Sequence, residues 1–452
     1  MSFVLITVII AGVRYHIWTE GCQMNVADSN RVAAALEDLD YTPTNLPNQA
    51  DVIVLNTCVV RESAEQKAIG RLTSLKPLKL KNPDLVINLM GCLVGIHGYS
   101  ELRKRFPYVD VFSQPSDPRP LVDHIQGKDL TAEKHREISD ILDSEFAYKL
   151  PPTKENAVVT AFLPIVFGCS HACSYCIIPL RRGKEISRPP DEIISDANTL
   201  VASGVKEITL LGQIVDRYGQ DQPGYPRLST LLRKIHQIEG VQRIRFLTSH
   251  PNWMTDDILD AVDDLPKVMP HFELPNQAGD DVVLRNMRRG YSIDQYIKTI
   301  EKIRVRLGDV SIATDIIVGF PGESKAQFNR SVDLLKTVRP DMTHVARYSP
   351  RPGTYSAKNL IDDVPPEEKM RRFRVIEKLQ GQISSEINQN YLGRKVPVFF
   401  EGKSKVRWRG RTPTNKLVFV DDKENLLGKI IDVNITWAGP WSMIGVIEHV
   451  SG

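Results

Sequence analysis

The sequence predicts an α/β protein in three parts: an N-terminal parallel α/β domain, a central partial (βα)6 barrel and a small C-terminal β-barrel. Three observations carry that prediction. Short apolar runs alternate with helical periodicities from residue 14 onward, the signature of parallel βαβ units. The alternation stops in a polar, Pro-rich stretch at 113–155 and then resumes for six further units. After one long helical pattern, the end of the chain breaks into short alternating apolar runs, which fit a small closed barrel. A length of 452 residues suits two to four domains.

RYHIWT (14–19), DVIVLNT (51–57) and DLVINLM (84–90) read as buried strands, with helical spacing at 27–39 and 61–75 between them. MSFVLITVIIAG, before them, lacks a basic n-region and an A-x-A-like cleavage site, so it reads as an extended start to the first strand. The Pro-rich stretch is expected to hold a helix or two. The second series has strands at 157–167, 206–211, 243–248, 271–274, 310–318 and 343–348. Its helices fall at 190–203, 229–238, 255–264, 292–307 and 324–337, an order natural for right-handed crossovers. A long helix runs from Pro366 to near Gly393, followed by VPVFFEG, KLVFV, GKIIDVNITWAG and GVIEHV as strands. The expected domains are 14–135, 155–387 and 390–452.

Composition excludes several classes. Hydrophobic residues at 42% and charged ones at 25% rule out wholesale disorder. No apolar run reaches the roughly 20 residues of a spanning helix. Six cysteines are too few in so long a chain for a disulfide scaffold, so their placement matters.

Cys169, Cys173 and Cys176 form C-x3-C-x2-C directly after a predicted strand. Three thiolates on one loop suit an iron–sulfur cluster with one open iron, where a substrate or cofactor could bind. A zinc site with a distant fourth ligand is the alternative. His171, inside the motif, reads as a loop residue. Cys22, Cys58 and Cys92 each follow a predicted parallel strand, in HIWTEGC, VIVLNTC and VINLMGC. Ligands of open α/β sheets bind outside the carboxyl ends of the strands, so these three point to a second metal or cluster site.

C-x3-C-x2-C with Tyr175 before its third cysteine resembles the radical S-adenosylmethionine motif. TEGCQMNVADS, LNTCVVRESAEQK and MGC resemble the first domain of the methylthiotransferases, and the terminal barrel resembles their TRAM domain. The resemblance covers about 14–450, and its nearest branch methylthiolates isopentenyl-adenosine beside the tRNA anticodon. It implies two [4Fe-4S] clusters. That on Cys169, Cys173 and Cys176 would bind S-adenosylmethionine and reduce it to a 5′-deoxyadenosyl radical, which takes hydrogen from adenine C2. That on Cys22, Cys58 and Cys92 would carry the sulfur, methylated by another S-adenosylmethionine. The cofactor does chemistry no side chain can, while the protein positions it.

The same resemblance implies S-adenosylmethionine contacts from Tyr175, Gly212, Gln213, Ser249, Asp315, Gly319 and Arg347, with His250 at the same mouth. A plain strand-end turn at Gly212 and Gln213, and a tight turn at IIVGFPGE, are the structural alternatives. The chain departs from the family pattern at LVGIHG after Cys92, at Leu180 and Arg181, at Ile214 and in LPNQAGDD. None of these removes a cluster ligand.

A formal charge of +3 conceals a basic segment. Residues 394–416 carry eight Lys and Arg against Glu401 alone. Alternation in KSKVRWRGR would align Lys403, Lys405, Arg407, Arg409 and Arg411 on one strand face, a stripe suited to a phosphate backbone. A charge-protected edge strand is the alternative. Trp408 on the other face suits core packing rather than base stacking. RGRTPTNKLVFV also resembles the tRNA-acting branch, so the expected partner is the anticodon stem-loop of tRNA. A reducing electron donor, a sulfur source, a monomeric state and a cytoplasmic location without membrane attachment complete the expectation. Rival readings are action on threonylcarbamoyl-adenosine in tRNA, action on a ribosomal-protein aspartate, and a non-catalytic iron–sulfur RNA-binding or electron-transfer protein.

Overall fold

The computed structural model describes residues 12–127 and 158–448, and the chain separates into two compact units. The first comprises residues up to 151 together with Leu180–Arg182; the second holds the rest. The expected start of the first strand at residues 1–11 lies outside the described residues, as does 128–157, which includes the domain limits placed at 135 and 155.

In the first unit five parallel strands stand in the order β2-β1-β3-β4-β5. They are β1 (Arg14–Thr19), β2 (Thr42–Pro43), β3 (Val52–Thr57), β4 (Val86–Gly91) and β5 (Val111–Ser113). The central strand β3 is buried along its whole length, as expected of a parallel strand covered on both faces. Helix Gln23–Glu37 lays Val32, Ala33 and Leu36 onto Tyr15, Val52 and Val54. It begins four residues earlier than its apolar spacing predicts, directly at Cys22, because Cys22 and Asn25 form a reciprocal cap on its first turn. Helix Glu62–Lys81 outruns the predicted 61–75 and carries Pro77 inside it.

The second unit contains six parallel barrel strands in two hydrogen-bonded groups of three. One is ordered β10-β9-β6, from β6 (Thr160–Pro164), β9 (Glu207–Leu211) and β10 (Arg243–Phe246); the other is ordered β11-β12-β13, from β11 (His271–Glu273), β12 (Ser311–Val318) and β13 (Met342–Arg347). A parallel bridge between Ile244 and Val268 links the groups. A small ribbon, β7 (Val166–Phe167) with β8 (Ile186–Ser187), brackets the cysteine loop. Helices Ile293–Leu307 and Lys325–Val338 start on Ser-x-x-Gln capping boxes at Ser292 and Ser324. The long helix Pro366–Gln389 packs Ile376 and Ile383 against Ile316 and Val318.

The terminal barrel closes in the order β14-β15-β16-β18-β17. Its strands are β14 (Lys395–Ser404), β15 (Arg407–Arg411), β16 (Leu417–Val420), β17 (Ile430–Ala438) and β18 (Met443–Val446). Val398, Phe400, Trp408, Val418, Val433 and Met443 fill it. Its 411–416 segment meets the amino ends of the larger barrel's strands. Arg243 donates to the Arg411 and Thr412 carbonyls, and Arg245 to those of Thr412 and Pro413. Both guanidiniums pair with Glu207, at 2.8 and 3.2 Å. Lys416 pairs with Asp341 at 2.6 Å. Among the described residues no helix is long and apolar enough to cross a membrane.

Candidate cluster sites and their comparison with known proteins

The sheet order makes β1, β3 and β4 neighbours, and Cys22, Cys58 and Cys92 follow their carboxyl ends. The three thiols lie close enough to act on one another. Burial pushes the Cys58 thiol up to about 11, with Cys92 and Cys22 adding to the rise. Burial also raises Cys92, against the lowering pull of Arg182. A polar network fixes this edge. The Asn25 side chain accepts from the Cys22 amide at 3.2 Å and donates to Asn56 Oδ1 and to the Thr57 carbonyl, both at 3.1 Å. Asn56 returns a bond to the Asn25 carbonyl, and the Cys92 amide donates to the Thr57 carbonyl. Gly91, with φ +92°, lets the chain turn there; a Cβ would stand 2.5 Å from Asn56 Oδ1.

In the second unit Cys169, Cys173 and Cys176 lie on the loop after β7. Gly168 (φ +61°) precedes them because a Cβ would lie 1.9 Å from the Lys184 carbonyl oxygen. Burial raises Cys169 to about 11 and Cys176 to about 12, and Cys173 adds to both. Burial also acts to raise Cys173, but a hydrogen bond from His171 and the Arg289 guanidinium outweigh it, bringing the thiol to about 7. His171 therefore does more than fill the loop; it also lies 4.7 Å from the His250 ring.

The donor sets fit iron–sulfur clusters by their all-thiol chemistry and by a guanidinium donated to one sulfur of each triplet.

The barrel's carboxyl end holds polar atoms without partners. Asp216 Oδ1, Ser249 Oγ, His250 Nε2 and Asn276 Oδ1 are buried with no hydrogen bond, an arrangement costing about 1–3 kcal/mol for each unmet group. A polar ligand such as S-adenosylmethionine would satisfy them. Burial lifts Asp216 to about 7, and burial with Asp315 lifts Glu273 to about 7. Tyr175 is half-buried with its ring edge-on to Phe320 at 6.5 Å, Gln213 is half-buried, and Arg347 is exposed at the end of β13.

Gly212 and Gly319 both have a packing role within the chain itself. Gly212 is packed by the chain itself, with Val166 Cβ 3.2 Å from where a Cβ would stand. Gly319 donates its amide to Glu323 at 2.6 Å and has Lys369 packed over it. Both fit the turn reading.

The basic stripe is corrected as well. A hairpin separates β14 from β15, so Lys403 lies on one strand opposite Trp408 and Lys405 sits in the turn; only Arg407, Arg409 and Arg411 share a face. Arg409 and Arg411 approach Glu401 at 3.8 and 3.2 Å, and Arg407 pairs with Asp421. Trp408 is buried, as expected, with Lys403 4.4 Å over its ring.

Sequence reasoning missed Asn25, Asp28, Arg182 and Arg289. Asn25 had a readable signal, three residues into the helix that Cys22 caps. The arginines had none, because their partners lie 90 and 116 positions away.

A partial parallel barrel with a three-cysteine loop beside its mouth defines the radical S-adenosylmethionine class, and residues 163–335 match the Radical SAM superfamily. Residues 14–113 match the uncharacterized protein family UPF0004, and 389–447 the TRAM domain. A tRNA-2-methylthio-N(6)-dimethylallyladenosine synthase from Roseiflexus sp. (strain RS-1) is 46% identical over 96% of this chain and 90% of its own length. One from Herpetosiphon aurantiacus is 44% identical over 96% and 97%. The chain belongs to this synthase family. In fold alone it resembles the radical S-adenosylmethionine methyltransferase TsrM from Kitasatospora setae, at TM-score 0.57 and 11% identity over 76% of this chain and 77% of that one. It likewise resembles the cobalamin-dependent enzyme OxsB, at TM-score 0.51 and 12% identity over 81% and 56%.

Proposed function

We infer that the protein transfers a methylthio group to C2 of N6-dimethylallyl-adenosine next to the anticodon of tRNA. The observation that carries this reading is the pair of cysteine triplets, one after the carboxyl ends of β1, β3 and β4 and the other on the loop after β7, in a chain of this family. Cys169, Cys173 and Cys176 would hold one [4Fe-4S] cluster and Cys22, Cys58 and Cys92 the other. When bound, the first cluster supplies the electron that cleaves S-adenosylmethionine, and the second the site for the sulfur that is methylated and delivered.

The chain's own residues do the rest. Arg289 and His171 hold Cys173, and Ser249, His250, Asp216 and Asn276 offer unmet polar atoms to the S-adenosylmethionine. His250, lowered by burial and by Arg289, stays neutral; its Nδ1 accepts from the Asn252 amide, so Nε2 carries the proton and can donate. The further contacts proposed are Tyr175, Gln213, Asp315 and Arg347. An electron donor, a sulfur source, a monomeric state and a cytoplasmic location complete the proposal.

Nucleoside analysis of tRNA from a strain lacking the gene, with and without its restoration, tests the substrate. Methylthio-dimethylallyl-adenosine should disappear and return. Loss of the methylthio-threonylcarbamoyl nucleoside instead would transfer the assignment to that substrate.

Arg407 and Arg409 would serve the phosphate backbone by exchanging weak surface pairs for RNA. Replacing both with glutamine should weaken tRNA binding and reduce the slope of log affinity against log salt by about 1 for each residue. An unchanged slope removes β15 from the RNA interface.

A further inference from the structure

Each triplet has one thiol that receives a buried guanidinium. Arg289 Nη1 donates to Cys173 Sγ at 3.2 Å, and Arg182 Nε to Cys92 Sγ at 3.3 Å. The two arginines differ in their remaining partners. Arg289 also donates to the Tyr291 hydroxyl and to the Pro275 carbonyl, both neutral. Arg182 Nη2 instead meets Asp28 Oδ2 at 2.8 Å, with side-chain exposures of 4% and 1%. Asp28 is itself held by the Ser116 hydroxyl at 2.5 Å. Arg182 closes the short helix Ile178–Arg182, six residues beyond Cys176 in the chain, and belongs to the first unit.

We propose that Arg182, charge-balanced by Asp28, is a positioning residue that orients Cys92 as a cluster ligand and sets the reduction potential of the auxiliary cluster. The inference rests on the reading of Cys22, Cys58 and Cys92 as that cluster's ligands. Hydrogen bonds to ligand sulfurs and local net charge both govern a cluster's potential, and groups bound to a ligand fix its orientation. A buried thiolate needs such a donor, since an unpaired buried anion is strongly disfavoured. Asp28 lets Arg182 give the hydrogen bond while cancelling most of its charge, whereas Arg289 acts on Cys173 as an uncompensated cation.

The test uses the full chain with Cys169, Cys173 and Cys176 all replaced by alanine, so that only the auxiliary site remains. After anaerobic reconstitution, iron content and the midpoint potential, followed by electron paramagnetic resonance, are compared among variants. Arg182→Gln removes the cation and leaves Asp28, so the midpoint should move negative. Asp28→Asn leaves the cation unbalanced, so the midpoint should move positive. Arg182→Lys should fall between the parent and Arg182→Gln. Opposite signs are the diagnostic result, because loss of packing alone does not produce them. Unmoved midpoints, or shifts of one sign in Arg182→Gln and Asp28→Asn, overturn the proposal. If neither Arg182 variant takes up iron, Asp28→Asn decides alone, and a midpoint that does not rise overturns it. Absence of iron from the parent with its auxiliary cysteines intact refutes the auxiliary-cluster reading instead.

Discussion

Replacing Cys173 with alanine should abolish formation of 5′-deoxyadenosine from S-adenosylmethionine and lower reconstituted iron from about eight to about four atoms per chain. Cys173 is the thiol of its triplet that the surroundings bring lowest, to about 7, because His171 and Arg289 outweigh the raising effect of burial. Burial pushes its two neighbours up to about 11 and about 12. Alanine removes the sulfur to which Arg289 donates at 3.2 Å. Full retention of 5′-deoxyadenosine formation would refute the assignment of the loop. The complementary variant, Cys58→Ala, should lower iron by a similar amount while 5′-deoxyadenosine still forms and methylthiolated product does not. Anaerobic iron determination with chromatographic detection of the two products separates these outcomes.

Replacing Glu207 with alanine should destabilise the iron-free chain by about 3–5 kcal/mol, the usual cost of leaving buried charge unpaired. Glu207 is the carboxylate that both Arg243 and Arg245 meet, and all three side chains are at most 5% exposed. Their remaining donors hold the carbonyls of Arg411, Thr412 and Pro413, so the loss would loosen the seat of the terminal barrel together with the base of the larger one. Denaturant unfolding checks this, with Arg233→Ala as control. The Arg233–Asp264 pair is half exposed, and its loss should cost no more than about 1 kcal/mol. A Glu207 variant no less stable than that control would show that the network contributes little.

Much of this protein is legible in its sequence because the relevant signals are local. Five of the six barrel strands end within two residues of their predicted limits, while the first, expected over 157–167, is divided into β6 and β7; the spacing of Cys169, Cys173 and Cys176 is itself the motif. The auxiliary triplet is legible less directly. Each cysteine closes a predicted strand, and only the order β1-β3-β4 makes those strands adjacent. The basic stripe misled because alternation in KSKVRWRGR was read as one strand, while Lys405 (φ +56°) and Val406 form a turn inside it. Strand periodicity has no means of registering a hairpin that lacks a glycine or asparagine signal.

What the sequence alone determined is the inventory: three domain types, two cysteine triplets, and a terminal barrel whose net charge is positive. Local periodicity and short spacings suffice for these, since neighbouring residues on one strand or loop have little freedom to move apart. The tertiary structure decided which groups accompany each triplet. It brought Arg182 and Asp28 to Cys92 and Arg289 to Cys173 across separations of about 90 to 150 residues. It also brought Glu401, Asp421 and Asp341 to basic residues that the linear chain leaves unpaired. Charge balance inside a folded protein depends on distance in space, and no spacing along the chain encodes it.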